Sequence, residues 1–182
     1  MNSIERFTGE YSFLSNFYNT PVFYEGLRYQ NSEAAFQAAK CLATESDVDA
    51  YIQNHHLNVD QVDDRLRTSI QEVLTMQLRM PFTRMNGAEA KKSGSCCSLR
   101  PDWETCKEQI MLQIIRNKFT DHSLACLLLN TGDAILIEGN TWNDRTWGMV
   151  NGKGKNLLGK ILEKVRDELQ EEQFYQDLEA IY

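Results

Sequence analysis

The chain has 182 residues, of which 42% are hydrophobic, and a formal net charge of −7 at pH 7. This length supports one sizeable core and leaves little room for a second, so we predict a single domain over residues 1–182. The acidic balance argues against a protein that holds nucleic acid across its whole surface, because such binding needs a broad basic face.

The charge is unevenly distributed along the chain. The segment Arg79–Lys118 contains eight basic residues and four acidic ones, while the flanking regions are acidic. A basic segment suits a phosphate-bearing ligand, and it also suits an ordinary solvated helix face. The sequence leaves both interpretations open.

Cysteine and histidine usage argues against disulfides and metals. The five cysteines are odd in number and form no CxxC pair, and the three histidines fall at no spacing that pairs them with cysteines as a zinc site. No apolar run approaches the roughly 20 residues that cross a bilayer. We therefore expect reduced thiols, no metal, no membrane association and a cytoplasmic location.

Residue patterning predicts an α+β fold, a mainly helical single domain with a small β-sheet. In chain order we predict short strands within Glu10–Tyr29 including a hairpin of Val22–Tyr24 and Leu27–Tyr29, a helix over Glu33–Lys40, a helical region over Ser46–Met80 stopped by Pro81, a short helix over Gly87–Lys92, a helix from its cap Asp102 through Phe119, a helix over Ser123–Leu129, a strand over Ala134–Glu138 and a terminal helix opened by Asn156.

The segment Leu136–Arg166 concentrates residue types that build binding sites. An apolar strand leads into the acids Glu138 and Asp144, the stacking surfaces Trp142 and Trp147, and a glycine-rich loop. Carboxylates serve acid/base chemistry, and glycines let the backbone approach a ligand. The alternative is an ordinary strand, loop and capped helix, in which Glu138 only orients the loop.

Four separated blocks resemble one known family in the expected order. They are GEYSFLSNFY at Gly9–Tyr18, YQNSEAAFQAAK at Tyr29–Lys40, GAEAKKSG with LRPDWETCK within Gly87–Lys107, and LIEGNTWNDRTWG with GKNLLGKIL within Leu136–Leu162. Together they resemble the NADAR superfamily, which includes the YbiA-like N-glycosidases. The resemblance implies the YbiA-like (NADAR) α+β fold and cleavage of an N-glycosidic bond to a ribose, with no metal and no cofactor.

The resemblance also implies site residues. Glu33 matches the family's Ser-Glu acid, Trp103 its Asp-Trp-Glu tryptophan, and Asp144 and Trp147 its Asp-x-x-Trp-Gly motif. Lys40 matches the lysine of the Phe-Gln-x-x-Lys segment. It follows Glu33 by seven residues, about two helical turns, so it either pairs with the acid or acts as an amine nucleophile. The further substrate-binding candidates are Asn16, Phe17, Lys91, Arg100, Gly148 and Asn156.

The chain departs from the family pattern in ways that affect specificity. Gly94-Ser95 stands where many relatives have Gly-Arg, so Lys91 or Arg100 would take over a phosphate contact. The loop between Glu138 and Asp144 is one residue longer than in the YbiA-like branch and includes Trp142. We expect Asp144 to contact the ribose or the attacking water and Glu33 to act as acid/base near the leaving group, with the reverse assignment open.

Three functions fit the sequence. The first is a metal-independent N-glycosidase that removes ADP-ribose from guanine in nucleic acid, recognised at one nucleotide, or that cleaves a phosphorylated ribosylamino-pyrimidine of riboflavin synthesis. The second is a non-catalytic module that binds ADP-ribose or NAD. The third is a partner in a toxin–antitoxin or defence system that docks through the acidic tail Gln170–Tyr182. The presence of both Glu33 and Asp144 favours the enzyme over a pure binding module.

Overall fold

The structure, a computed structural model, describes residues 2–58 and 61–179 and confirms a mainly helical α+β fold. In the described part of the chain the helices are α1 (Ser32–Ala38), α2 (Glu45–Asn54), α3 (Asp64–Arg79), α4 (Gly87–Gly94), α5 (Trp103–Lys118), α6 (His122–Leu129) and α7 (Leu157–Glu179). The strands are β1 (Ser3–Ile4), β2 (Val22–Tyr24), β3 (Leu27–Tyr29) and β4 (Ile135–Leu136).

The strands form two small sheets. β2 and β3 pair antiparallel with Val22 opposite Tyr29, which confirms the predicted hairpin, and both residues of its turn, Glu25 and Gly26, have positive φ. That conformation matches the right-handed twist of the flanking strands. β1 and β4 pair in parallel, with Ser3 opposite Ile135 and Ile4 opposite Leu136.

Three predicted elements differ from the structure. Gly9–Leu14 is a 3-10 helix and not a strand, because it buries Phe13 and Leu14 side by side where a strand would turn them to opposite faces. The region Ser46–Met80 is broken into α2 and α3, with His56 at positive φ after the first helix. The predicted strand Ala134–Glu138 shortens to β4, since its partner β1 has only two residues.

Two predicted helix starts have different outcomes. Asp102 precedes α5, but its carboxylate pairs with Arg100 and makes no cap hydrogen bond to the helix. Asn156 does precede α7, as predicted. The acidic tail continues α7 to Glu179, and the final three residues of the tail lie outside the described residues.

Helix α1 occupies the centre of the fold. All seven of its residues are buried, and it packs against α4, α5 and the hairpin. Alanines at positions 34, 35 and 38 permit this close approach. Asn31 begins the helix, because its side chain accepts a hydrogen bond from the Ala34 amide. The polar residues of α1 are therefore held by packing on every side.

The outer helices pack around this centre. α5 packs on α7, α7 packs on α6, and α2 and α3 form a separate small cluster through Val48, Ile52 and Ile70. Within residues 2–58 and 61–179, no helix combines the length and apolar character that a membrane span requires.

Lys118 is a buried lysine near the end of α5. It is 1% exposed, its Nζ donates to the Ser15 carbonyl at 2.8 Å, and the rings of Tyr18 and Phe119 lie 5.6 and 5.4 Å from the ammonium. Burial lowers the pKa of Lys118 to about 7. Since a charged amine is poorly solvated there, the folded protein holds this proton less tightly than the unfolded chain does.

We expect this burial to make stability rise with pH. In the unfolded chain a lysine titrates near ~10.4, so between about pH 7 and 10 the unfolded state binds the extra proton and folding gains roughly 1 kcal/mol per pH unit. Lys118→Met should remove that contribution. Urea titrations at several pH values should therefore show wild-type stability increasing relative to Lys118→Met, with the exposed Lys160→Met as control. Parallel curves for wild type and Lys118→Met would contradict a neutral buried amine.

Candidate active site

A cavity of about 900 Å³ lies beside α1. Its walls come from the segments on both sides of the 3-10 helix, from α1 and the residue Lys40 beyond it, from α4, from the first half of α5, and from the loop between β4 and α7. A cavity of this size holds a nucleotide-sized ligand. The lining residues are Phe7, Thr8, Ser15, Asn16, Phe17, Glu33, Phe36, Gln37, Lys40, Lys91, Trp103, Lys107, Met111, Glu138, Trp142, Asp144, Thr146 and Trp147.

Glu33 lies in the first turn of α1 and is 7% exposed. Gln37 Nε2, one turn later, donates to Glu33 Oε1 at 2.8 Å. Burial raises the pKa of Glu33, the Gln37 hydrogen bond and the charges of Lys91 and Lys40 oppose that rise, and Asp144 adds to it. The carboxylate form of Glu33 is therefore a stronger base than an exposed glutamate.

Lys40 lines the same cavity just beyond the end of α1. Its Nζ lies 5.7 Å from the centroid of the Trp103 ring, within cation–π range. Burial lowers the pKa of Lys40, whereas the carboxylate of Glu33 raises it. Lys40 and Glu33 thus line one cavity and stabilise each other's charged forms, while direct pairing of the two side chains stays a prediction.

Three aromatic rings form one wall. The Phe36 ring lies 4.9 Å from the Trp103 ring and 5.0 Å from the Trp147 ring, measured between centroids. Trp103 is buried and Trp147 is half-buried. Because Phe36 contacts both tryptophans, it fixes their orientation toward the cavity. The wall offers aromatic surface for a planar base.

Asp144 is held in a tight loop. Its Oδ1 accepts hydrogen bonds from the backbone amides of Thr146 and Trp147, both at 2.9 Å. Asn140 holds the Asp144 backbone from the other side, accepting from its amide at 3.0 Å and donating to its carbonyl at 2.7 Å. Such an arrangement fixes the carboxylate at the cavity wall before any ligand arrives.

Glu138 is a third carboxyl group in this cavity. One of its oxygens, Oε2, is buried without a hydrogen-bond partner in the described structure. Burial, and then the nearby charges of Asp144 and Glu33, raise the pKa of Glu138 to about 7, against the opposing charge of Lys91. From the sequence, Glu138 was open between acid/base chemistry and loop orientation. The signal that places it in the cavity is alternation, because Glu138 follows the buried Leu136 by two positions at a strand end.

Three of the predicted substrate contacts, Arg100, Asn156 and Gly148, do not line the cavity. Arg100 pairs with Asp102, Nε to Oδ1 at 2.6 Å, and its backbone amide donates to the Lys40 carbonyl. Asn156 Oδ1 accepts from the Glu138 amide, and its Nδ2 donates to the Leu136 carbonyl. These side chains are occupied in holding the segments that carry cavity residues.

Gly148 also packs behind the site. A Cβ atom at this position would lie 2.2 Å from the Glu138 carbonyl oxygen, so backbone packing requires the glycine. Asn16, Phe17 and Lys91 do line the cavity as predicted, and Asn16 Oδ1 is buried there without a partner among the described residues.

Other lining residues were not singled out from sequence. Gln37 and Lys107 each lie four positions after a residue that was, Glu33 and Trp103, and four residues is one helical turn on the same face. That spacing would have found them. In the part of the chain that the structure describes, no three His, Cys, Asp or Glu side chains cluster as metal ligands.

The rim of the cavity carries two exposed aromatic rings around one lysine. Phe17 is 45% and Trp142 is 60% exposed, and Lys91 Nζ lies 5.9 and 5.7 Å from their ring centroids. Exposed rings next to a cation suit a planar base carrying a phosphate. Trp142 reaches this rim from the loop between β4 and α7.

We expect Trp142→Ala to weaken substrate binding with little change in turnover. Loss of one stacking ring costs roughly 1–1.5 kcal/mol, which raises KM about 5- to 10-fold. Steady-state kinetics with a phosphorylated ribosyl N-glycoside measures this change in KM. The matched control is Phe23→Ala, which removes an exposed ring outside the cavity. An unchanged KM would show that the rim ring is not used.

A family model of the NADAR domain matches residues 5–170. The chain belongs to the NADAR family. The N-glycosidase YbiA of Escherichia coli strain K12 is 35% identical over 162 residues, which are 88% of this chain and 82% of that protein. This result confirms the resemblance that the four sequence blocks carry.

Further relatives carry two kinds of name. The N-glycosidase Npun_R5314 of Nostoc punctiforme is 42% identical over 85 residues, covering 44% of this NADAR protein and 54% of the relative. The riboflavin biosynthesis protein VVA0006 of Vibrio vulnificus is 31% identical over 163 residues, covering 88% of this chain and 36% of that protein. The matched region thus makes up most of YbiA and about a third of the riboflavin biosynthesis protein.

A solved structure confirms the fold. The NMR structure of the E. coli protein YbiA superimposes with a TM-score of 0.64 at 31% sequence identity, covering 96% of this chain and 89% of that one. Together with the family match, this establishes the YbiA-like α+β architecture that the sequence predicted.

Proposed function

We propose that this NADAR protein, a hydrolase acting on N-glycosyl bonds, cleaves the bond between a nitrogen base and the ribose of a phosphorylated ribosyl compound. The single observation that carries the proposal is the content of one cavity: three carboxyl groups, lysines and an aromatic wall line about 900 Å³. The relatives named N-glycosidase support the reaction class.

The chemistry requires charge stabilisation at the sugar. As the bond from the anomeric carbon to the base nitrogen lengthens, positive charge develops on the ribose, and a fixed carboxylate beside it lowers the barrier. Asp144 suits this role, because backbone amides hold it in place. Glu33 suits the role of base for the attacking water, since burial makes its carboxylate more basic. Water supplies the new hydroxyl on the ribose.

The lysines provide the phosphate contacts. Lys40, Lys91 and Lys107 line the cavity from three different segments of the chain. Together they offer positive charge within a protein whose net charge is −7. A phosphate group would thus be attracted to this cavity and not to the surface at large. This local charge compensates for the serine at position 95, where many relatives have arginine.

Two members of this substrate class are candidate ligands for the cavity. A phosphorylated ribosylamino-pyrimidine is supported by the match to a relative named for riboflavin biosynthesis. ADP-ribose attached to guanine in nucleic acid is the other, and the exposed rings at the rim would then serve its second base. Both place a phosphate next to a ribose whose anomeric carbon carries nitrogen.

The experiment is a hydrolysis assay in water enriched in oxygen-18. The purified full chain is incubated with each substrate, and mass spectrometry follows the released base and the sugar phosphate. Hydrolysis should place one heavy oxygen on the ribose, and Glu33→Gln is the inactive control. Binding without turnover of either substrate would overturn the enzymatic proposal and favour a module that only binds ADP-ribose or NAD.

A further inference from the structure

The third carboxyl group, that of Glu138, has no structural task that explains its position. Its backbone is fixed on both sides, with the amide donating to Asn156 Oδ1 at 3.0 Å and the carbonyl accepting from the Met149 amide at 2.8 Å. Its side chain, by contrast, enters the cavity with Oε2 buried and unpaired among the described residues. A buried polar atom without a partner is costly to a fold and marks a functional position.

The other two carboxyl groups are engaged differently. Glu33 accepts a hydrogen bond from Gln37, and Asp144 accepts two from backbone amides. Each of those bonds favours the ionised, accepting form. Glu138 differs in having a fully buried oxygen, Oε2, that accepts no hydrogen bond from the described residues, so this carboxyl can hold a proton and donate it to a ligand. Hydrolysis of an N-glycoside needs such a donor, because a base leaves poorly as an anion.

We propose that Glu138 is the general acid that protonates the departing base nitrogen. The assignment rests on the proposed function. As the bond between the anomeric carbon and the nitrogen breaks, its electron pair goes to the nitrogen, which takes the proton from the Glu138 carboxyl. Water then adds to the anomeric carbon and loses a proton to Glu33. Proton exchange with solvent restores both groups, so substrate plus water gives free base and ribose phosphate.

The charges that face Glu138 fit this role. Burial makes the largest contribution to the raised pKa of Glu138. The nearby charges of Asp144 and Glu33 raise this pKa further, and the charge of Lys91 lowers it. Together they raise its pKa to about 7, so the group is protonated in a substantial fraction of molecules near neutral pH. Turnover should therefore fall as pH rises above about 7, as this carboxyl loses its proton.

The decisive variant is Glu138→Gln, which keeps shape and removes the proton donor. We expect kcat to fall roughly 10²- to 10³-fold with KM within about 3-fold, and the loss of activity above about pH 7 to disappear from the pH profile. Glu138→Asp should recover part of the rate, and the exposed Glu108→Gln should behave as wild type. Thermal unfolding confirms that each variant is folded. A wild-type kcat, or an unchanged pH profile in Glu138→Gln, would overturn the assignment.

A second substrate separates proton donation from mere positioning. In nicotinamide riboside 5′-phosphate the base leaves as a neutral molecule and needs no proton. The fall in kcat caused by Glu138→Gln should be at least about 10-fold smaller for this probe than for a substrate whose base must be protonated to leave. Equal defects on both would overturn the general-acid role. Failure of the wild type to cleave any ribosyl N-glycoside would instead remove the proposed function itself.

Discussion

Replacing Glu33 with glutamine is expected to lower kcat roughly 10²- to 10⁴-fold while leaving the fold intact. Glutamine still accepts the hydrogen bond that Gln37 Nε2 donates, so the packing of α1 is kept. It cannot take a proton from water. In addition, removal of the buried negative charge leaves Lys40 and Lys91 without one of their opposing charges.

The measurement is single-turnover release of the base, with thermal unfolding on the same samples. Glu108→Gln makes the same change on the exposed face of α5 and should have wild-type kinetics. If Glu33→Gln kept a wild-type kcat, Glu33 would have no part in the chemistry. If it lost activity together with its unfolding transition, the role would be structural.

Gly148→Ala is expected to destabilise the protein by about 2–3 kcal/mol and to abolish activity. The added Cβ would lie 2.2 Å from the Glu138 carbonyl oxygen and 2.8 Å from Asn140 Nδ2. To relieve that overlap, the two segments must separate, which breaks the hydrogen bond from the Met149 amide to the Glu138 carbonyl. The same movement displaces Glu138 and the loop of Asp144.

Gly87→Ala is the comparison variant, because its Cβ would lie 2.7 Å from Phe17 Cγ and only this partly exposed side chain must shift, whereas Gly148→Ala meets backbone. Alanine at the start of α4 also favours the helix. Urea unfolding should show a clearly larger loss for Gly148→Ala than for Gly87→Ala. Equal stabilities would mean that the segments at Glu138 and Met149 separate at no cost.

The sequence predicted the parts of the site that depend on motif and spacing. Glu33, Trp103, Asp144 and Trp147 come from three separated blocks, and the structure brings all four to one cavity. Their placement followed from the family resemblance and not from local pattern, since no local rule brings positions so distant in the chain together. Their catalytic roles remain predictions.

The sequence was least informative where tertiary contacts decide what a polar residue does. Arg100 and Asn156 have side chains suited to phosphate, yet each is occupied by a neighbour, Asp102 in one case and the backbone around Glu138 in the other. Conversely, Glu138 is distinguished only by burial and by a missing partner. Neither property is visible in residue type.

The alanines of α1 carry a constraint that residues in contact with substrate do not reveal. Ala34, Ala35 and Ala38 have no exposed surface. The neighbouring helices α4 and α5 carry Lys91 and Trp103, which line the cavity. A larger side chain at any of these positions would push those helices outward and widen the cavity. Small residues behind the wall therefore help to set the width of the cavity, and a search for residues touching the ligand would pass over them.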